Sequence, residues 1–354
     1  MSAASTPKLR RGWTTGACAA AAAAAAAAAL RCGRFPDPVT VRLPGGQTPA
    51  FALAHRRLGG EWAEAGVIKD AGDDPDVTHG CLVLVRLRPL PAGSGLVFRA
   101  GDGVGTVTRP GLPLAVGEPA INPGPRAMIA DNLGLADAEI GISIPGGAEL
   151  ALKTLNGRLG VLGGLSVLGT TGIVVPYSCA AWVDAIHRGV DVARASGLGH
   201  LIAVTGAASE AGVRRLYPAL AEPAVIDVGD FMGGLLKYLR RHPVTKLTIA
   251  GGFAKTVKLA AGHLNLHSKA SEVDFGWLAG VVAAAGGAPG TIEAVRAAPT
   301  ALAVLDLARA AGLPLADAIA SRAAVVAAGA AAGRLPVEIA VFDRFGTLVG
   351  RHDP

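Results

Sequence analysis

The sequence predicts two domains: an antiparallel-sheet α+β domain over residues 1–156, then a parallel-sheet α/β domain over residues 157–354 whose C-terminal part is helical. Three observations carry this. The chain has 354 residues, more than one hydrophobic core usually organises. Before about Asn156, extended apolar runs are separated by Pro and Gly. After it, strand-like runs alternate with helix-like ones, which is the rhythm of a parallel sheet covered by helices.

The first element is a run of alanines from Ala19 to Ala29, preceded by Lys8, Arg10 and Arg11. It imitates the charged start and apolar centre of a secretory signal. Yet it lacks Leu and Phe until Leu30, and Arg31 and Gly33 follow at once. A buried helix suits it better, with Thr14 or Thr15 as the N-cap and Gly33 closing the end. A hairpin is expected next, Val39 to Leu43 and Phe51 to His55 around Pro44, Gly45 and Gly46. Further strands are expected at Trp62 to Ile68, Leu82 to Leu87, Gly95 to Phe98, Ile140 to Ile144 and Ala148 to Lys153.

In the second half the strand–helix pairs are Leu201 to Val204 with Ala207 to Leu216, Ala224 to Val228 with Phe231 to Arg240, and Lys246 to Ala250 with Phe253 to Gly262. Ligands in such sheets bind beyond the carboxyl ends of the strands, here the loops at Thr205, Gly229 and Gly251. Helices are expected across Gly276 to Ala332, and a last strand at Glu338 to Phe342.

Composition narrows the function. Aromatic residues are only 4% against 49 glycines, which disfavours base-stacking platforms and favours close backbone approaches. The formal charge of +6 suits an anionic partner, but no dense Lys/Arg run selects nucleic acid. Cys18, Cys32, Cys81 and Cys179 lie far apart, without zinc-site pairing or disulfide-scaffold density, so reduced thiols in the cytoplasm are expected.

Five segments can carry chemistry. The densest glycine segment, residues 157–172, contains Gly160, Gly163, Gly164, Gly169, Thr170, Thr171 and Gly172. From Gly164 its spacing copies a P-loop, but Thr170 stands where lysine is required, so it reads as a cofactor loop or as a tight turn between domains. Gly101 to Gly105 is followed by extended chain and therefore is no dinucleotide fingerprint; it places Asp102 and Arg109 on a loop or bulge. In the acidic turn Lys69 to Asp76, Asp70 and Asp73 are the functional candidates, while Asp74 and Asp76 read as solvated. Glu118 to Arg126 is a proline-stiffened loop carrying Asn122 and Arg126. Lys255, Lys258, His263, His267 and Lys269 form the one clear basic cluster of the second half, either a solvated face or a cradle for carboxylates. No residue spacing suggests a metal site.

Together these segments resemble the CbiD family. The matching pieces are RGWTTGACAAAAAAAAAAA at Arg11 to Ala29, KDAGDDP at Lys69 to Pro75, GDGVGTVTRPG at Gly101 to Gly111, GEPAINPGPR at Gly117 to Arg126, Gly160 to Pro176, and Lys255 to Lys269. The chain departs from the family in lacking a lysine within the alanine helix, in Gly252 for a frequent histidine, and in Leu266 for a threonine. The resemblance implies an α+β domain followed by a Rossmann-like domain. It also implies C1-methylation of cobalt-precorrin-5B by S-adenosylmethionine, on the anaerobic route to cobalamin, with cobalt present only as part of the substrate.

On that reading nucleophilic C1 attacks the sulfonium methyl, giving cobalt-precorrin-6A and S-adenosylhomocysteine. The residue 160–172 segment with Thr205, Gly206 and Asp227 would hold the donor. Arg109, Arg126, Lys255, Lys258, His267 and Lys269, with Asp70, Asn122, Thr14 and Thr15, would hold the macrocycle, and Asp102 and His263 would handle protons. The expected partner is a small tetrapyrrole, with neither nucleic acid nor membrane; a homodimer stays open. Two rivals remain: a nicotinamide-dependent oxidoreductase acting on a tetrapyrrole, and a non-catalytic tetrapyrrole carrier or nucleic-acid-binding protein.

Overall fold

A computed structural model describes residues 9–333 and 335–354, so Lys8 lies outside the described residues. Two compact units, each with its own core, meet in sequence at Ser178 and Cys179. The boundary expected at Asn156 is displaced because the following segment pairs back into the first unit. Val161–Leu162 lies antiparallel to Thr106–Val107, and Ile173–Val174 antiparallel to Gly12–Trp13.

In the first unit the alanine run is helix α1 (Thr15–Cys32). The Thr14 hydroxyl caps its start by accepting the Ala17 N–H at 3.2 Å. Gly33, at φ 72°, closes the end by donating to the Ala29 carbonyl at 2.8 Å. By length and composition α1 could cross a membrane, but 78% of it is buried in this unit. It lies on a sheet of β1 (His55–Leu58), β2 (Ala63–Ile68), β3 (Leu82–Pro89), β4 (Leu96–Ala100) and β5 (Ala138–Ser143), in the order β1-β2-β3-β5-β4. All neighbours are antiparallel except β4 with β5.

Small side chains on both sides let helix and sheet approach closely: Ala63, Ala65 and Val67 of β2 share the core with α1. Helix α2 (Pro123–Leu133) packs against α1 just as tightly, since a β-carbon on Gly16 would stand 2.7 Å from the Pro125 ring. The hairpin of residues 39–51 forms as expected, with a shorter ladder, Val39–Thr40 to Ala50–Phe51. The strand expected at Ala148 to Lys153 is instead a helical turn, Gly147–Ala151. Gly146, at φ 75°, turns the chain, and the good helix formers Ala148, Glu149 and Leu150 follow.

The second unit is a five-stranded sheet between helices. Helix α3 (Cys179–Ala195), not among the expected elements, precedes β6 (His200–Val204). Then come α4 (Ala207–Leu216), β7 (Val225–Asp227), α5 (Met232–Leu239), β8 (Lys246–Gly252) and α6 (Phe253–Ala260). Four helices follow: α7 (Phe275–Ala284), α8 (Pro289–Arg296), α9 (Ala301–Ala310) and α10 (Leu315–Ala330). The chain ends in β9 (Val337–Phe342) and an unforeseen β10 (Leu348–His352).

Strand order is β7-β6-β8-β9-β10, parallel except for the antiparallel edge strand β10. Leu201 and Ala203 face the larger core with α3 and α5, while Ile202 and Val204 face the smaller one with Val213 of α4. Both faces are buried, which is why these strands read as continuous apolar runs. The chain leaves β6 toward β7 on one side and returns to β8 on the other, so the strand order reverses between β6 and β8. The crevice beyond the carboxyl ends at that point is where such sheets take ligands.

Candidate functional site

At the carboxyl ends of the second unit's sheet, three loops converge. The loop after β6 carries Thr205, which is buried, and Gly206, whose φ of 153° opens α4 directly. β7 ends on Asp227, whose carboxylate accepts the Gly229 N–H at 3.0 Å. Its second oxygen has no partner among the described residues. β8 ends in Gly251 and Gly252, and α6 begins at the next residue. A β-carbon at Gly206 or Gly252 would meet nothing within 4 Å, so the chain leaves space over the strand ends.

Lys255, in the first turn of α6, ties the three loops together. Its ammonium donates to the Thr205 carbonyl at 2.6 Å, pairs with Asp230 at 3.0 Å and reaches the Gly229 carbonyl at 3.5 Å. A fourth segment closes in, where Leu266 N–H donates to the Asp230 carbonyl at 2.9 Å and Gly233 N–H to the Leu264 carbonyl at 2.8 Å. Lys255, expected to bind substrate carboxylates, therefore has its donors occupied by the protein and acts as a cross-brace.

The same correction holds for Lys258, which is buried on α6 and donates to the Leu266 carbonyl at 3.0 Å. His267 and Lys269 lie on the exposed loop beyond, where His267 Nδ1 accepts the Lys269 N–H at 3.0 Å; the Lys269 ammonium has no partner among the described residues. His263 is half-buried just after α6, and its ring has no partner among the described residues.

In the first unit most expected ligand contacts prove to be internal. Thr14 caps α1, and Thr15 donates to the Leu168 carbonyl at 3.2 Å while accepting its N–H at 3.0 Å. The α1 amides expected to be free are also engaged: Gly16 N–H donates to Leu168 and Thr14 N–H to the Gly172 carbonyl. Arg109 lies across Gly160 and donates to the Arg158 carbonyl at 3.2 Å. Arg126 donates to the Ile121 carbonyl at 2.8 Å, pairs with Glu118 at 2.7 Å, and sits over the Phe98 ring. Asn122 precedes α2 without capping it through its side chain. Asp102 is exposed in a turn, and its carbonyl accepts the Ile144 N–H at 2.7 Å.

The acidic turn is a clasp on the N-terminal segment. Arg10 forms two hydrogen bonds to Asp70 and donates its N–H to Asp73 at 2.6 Å. That guanidinium holds the Asp70 carboxyl down to about 2. Asp76, expected to be solvated, instead pairs at 2.5 Å with Lys69, which is 1% exposed. Asp74 accepts the Tyr177 N–H at 2.8 Å. Asp70 is thus committed to Arg10 rather than to a ligand.

The glycine segment runs into the short strand Ile173–Val174 instead of opening a helix, so it lacks the strand–loop–helix form of a phosphate loop. Four of its glycines answer to packing. A β-carbon on Gly164 would stand 2.4 Å from the Gly103 backbone, on Gly169 2.2 Å from Thr14, on Gly160 2.5 Å from Arg109, and on Gly172 2.7 Å from Leu43. Gly157 and Gly163 face open space, Gly163 at φ 83°, and Thr170 and Thr171 are exposed beyond them. Gly164→Ala is therefore expected to cost about 1–3 kcal/mol in thermal or urea unfolding. Gly163→Ala should cost only the left-handed backbone penalty of about 1–2 kcal/mol. Equal and small losses in both would refute the packing role of Gly164.

Sequence reasoning missed Asp230, α3 and its Trp182. The Asp227-Val-Gly-Asp230 run after an apolar strand is a turn signal that pointed to Asp230; nothing local marked Trp182.

Comparison with known proteins finds family matches in both units, with residues 177–264 outside either match. The CbiD family matches residues 2–176, and the CbiD C-terminal domain matches residues 265–353. The chain is 62% identical to the cobalt-precorrin-5B C(1)-methyltransferase of Rhodospirillum rubrum over 97% of each. It is 55% identical to that of Paramagnetospirillum magneticum, over 97% of this chain and 98% of the relative. The crystal structure of the cobalamin biosynthesis protein cbiD from Archaeoglobus fulgidus is 26% identical, with a TM-score of 0.39 over 86% of this chain and 85% of that one. With both family regions matched and identity this high along nearly its whole length, the chain belongs to the CbiD family.

Proposed function

We propose that this protein is a C-methyltransferase that methylates C1 of cobalt-precorrin-5B, giving cobalt-precorrin-6A in cobalamin synthesis, with S-adenosylmethionine as donor. The observation that carries the substrate and the reaction is the 62% identity, over 97% of the chain, to a protein of that name. The oxidoreductase alternative has no support, since Gly206-Ala207-Ala208-Ser209 after β6 lacks the second and third glycines of a dinucleotide fingerprint.

S-adenosylmethionine, when bound, supplies a methyl group already activated as a sulfonium. The residues at the second unit's strand ends suit such a ligand: Gly206 and Gly252 leave room for close approach, and Asp227 keeps one carboxylate oxygen for ribose hydroxyls. Thr205 lines the same crevice, and Lys255 holds its three walls in place before any ligand arrives. With the methyl group activated in advance, the protein accelerates the reaction chiefly by orienting the two reactants.

Lys269 and His267 are the exposed groups of the basic cluster suited to macrocycle carboxylates. In the first unit Asn122 keeps that role, Thr170 and Thr171, expected to hold the donor, stay exposed, and Arg109 and Arg126 shape the loops of that unit. Asp102 and His263, whose side chains no described residue engages, are the candidates for accepting a proton.

The test is incubation of the pure protein with cobalt-precorrin-5B and S-adenosylmethionine, read as a mass gain of one methyl group. Folded protein giving no gain would overturn the proposal. Asp227→Asn is expected to weaken S-adenosylhomocysteine binding about tenfold in calorimetry, the equivalent of about 1.4 kcal/mol.

A further inference from the structure

Trp182 is an aromatic side chain left without a structural reason to be where it is. It lies in the first turns of α3 and is 46% exposed, in a chain that spends aromatic residues sparingly. Helix α3 leads into the amino end of β6, so its own N-terminus stands at the carboxyl ends of the strands. There the indole lies flat enough on the β7 loop that a β-carbon on Gly229 would be 3.4–3.5 Å from three of its ring atoms. Phe231 supports it from the same loop, with ring centroids 6.3 Å apart and tilted by 45°.

Gly229 is also the residue whose N–H holds the Asp227 carboxylate. One glycine backbone therefore carries a carboxylate on one side and an indole on the other. A β-carbon there would only reach ordinary van der Waals contact with the indole, so it is the φ of 52° that favours glycine.

We propose that Trp182 is a stacking wall for the adenine ring of the methyl donor. This deepens the function proposed above and rests on it. An adenosine places its ribose hydroxyls and its base at opposite ends of one glycosidic bond, and Asp227 and Trp182, both set against Gly229, offer a hydroxyl acceptor and an apolar ring. A purine stacked on an indole is held without reading its edge, and such stacking contributes about 1–3 kcal/mol per base.

Calorimetry with S-adenosylhomocysteine on the full chain tests this, using the wild type, Trp182→Phe, Trp182→Ala and Asp227→Asn, each with its melting temperature. The side chain is half in solvent, so both Trp182 variants are expected to melt as the wild type does. Trp182→Ala should bind about tenfold more weakly or worse, and Trp182→Phe should retain most of the affinity because a ring remains. Adenosine should compete, and S-adenosylhomocysteine should quench indole fluorescence in the wild type but not in Trp182→Phe.

Wild-type affinity in a well-folded Trp182→Ala overturns the stacking role. If Asp227→Asn still loses affinity in that case, the donor site itself stands. A wild type that binds no S-adenosylhomocysteine overturns both together.

Discussion

Replacing Glu338 by alanine is expected to destabilise the protein by about 3–5 kcal/mol, the range for removing one partner from a buried charged network. Glu338 is fully buried near the start of β9, opposite Thr248 of β8. It receives Lys246 at 2.6 Å, Arg351 at 2.8 Å, the Thr248 hydroxyl at 2.8 Å and the Tyr217 hydroxyl at 2.6 Å. His200 extends the network through Thr248 at 2.7 Å. Lys246 and Arg351 are each about one-third exposed, so they can turn to water when the carboxylate is gone; Thr248 cannot. Because Arg351 belongs to β10, the network also fastens the antiparallel edge to the parallel sheet.

The pH dependence gives a sharper form of the same expectation. Burial by itself would raise the Glu338 pKa, but hydrogen bonds from Lys246, Tyr217 and Thr248 outweigh it and bring the carboxyl down to about 2. In the unfolded chain it titrates near the ordinary glutamate value, about 4.3. The folded state therefore holds the proton less readily. The stabilisation is whole above about pH 5 and is lost as the pH falls through the unfolded value toward the folded one. In urea titrations, the wild type should exceed Glu338→Gln by a margin that is largest near pH 7 and shrinks steadily below pH 5. A margin that stayed constant from pH 7 to pH 3, or no margin at all, would sink this account.

Glu338 also shows where sequence reading stops. It was expected only as the first residue of a last strand, and no pattern in one chain reveals that two cations and two hydroxyls arrive from β8, β10 and the end of α4. The alternation of apolar runs was legible because both faces of the parallel sheet are buried, which writes β6, β7, β8 and β9 into the sequence as largely hydrophobic stretches, broken within β8 and β9 by Thr248 and Glu338. The strand misread at Ala148 to Lys153 had no such double burial, and five residues are too few for a helical period to show.

Glycines could not be sorted from the sequence for a related reason. A glycine needed because Gly103 or Thr14 presses on it has the same letter as one needed for a ligand, and only the positions of the neighbours separate Gly164 and Gly169 from Gly206 and Gly252. Basic residues posed the same problem. Lys255, Lys258, Arg109 and Arg126 all end on backbone carbonyls of their own unit, and backbone carbonyls leave no mark in a sequence.

Lys255→Met should weaken binding of S-adenosylhomocysteine by about tenfold or more, even though the lysine is no longer assigned to the substrate. Methionine keeps the stem and removes the charge. The ammonium now bridges the Thr205 carbonyl, the Asp230 carboxylate and the Gly229 carbonyl, so its loss frees the β6 and β7 loops from each other and leaves Asp230 without its counter-ion. Those two loops carry Thr205, Gly206 and Asp227, and a contact made by a wandering loop is worth less because ordering it costs conformational entropy on binding. The KM for the donor should then rise more than kcat falls, since the brace acts on the binding site rather than on the reacting atoms. A double-mutant cycle separates bracing from direct contact. If Lys255 acts through Asp230, the Lys255→Met, Asp230→Asn pair should be little worse than Lys255→Met alone, because the second change removes a charge the first has already stranded. Additive losses would mean that Lys255 meets the ligand itself, and an unchanged affinity in Lys255→Met would mean that the three loops hold their places without it.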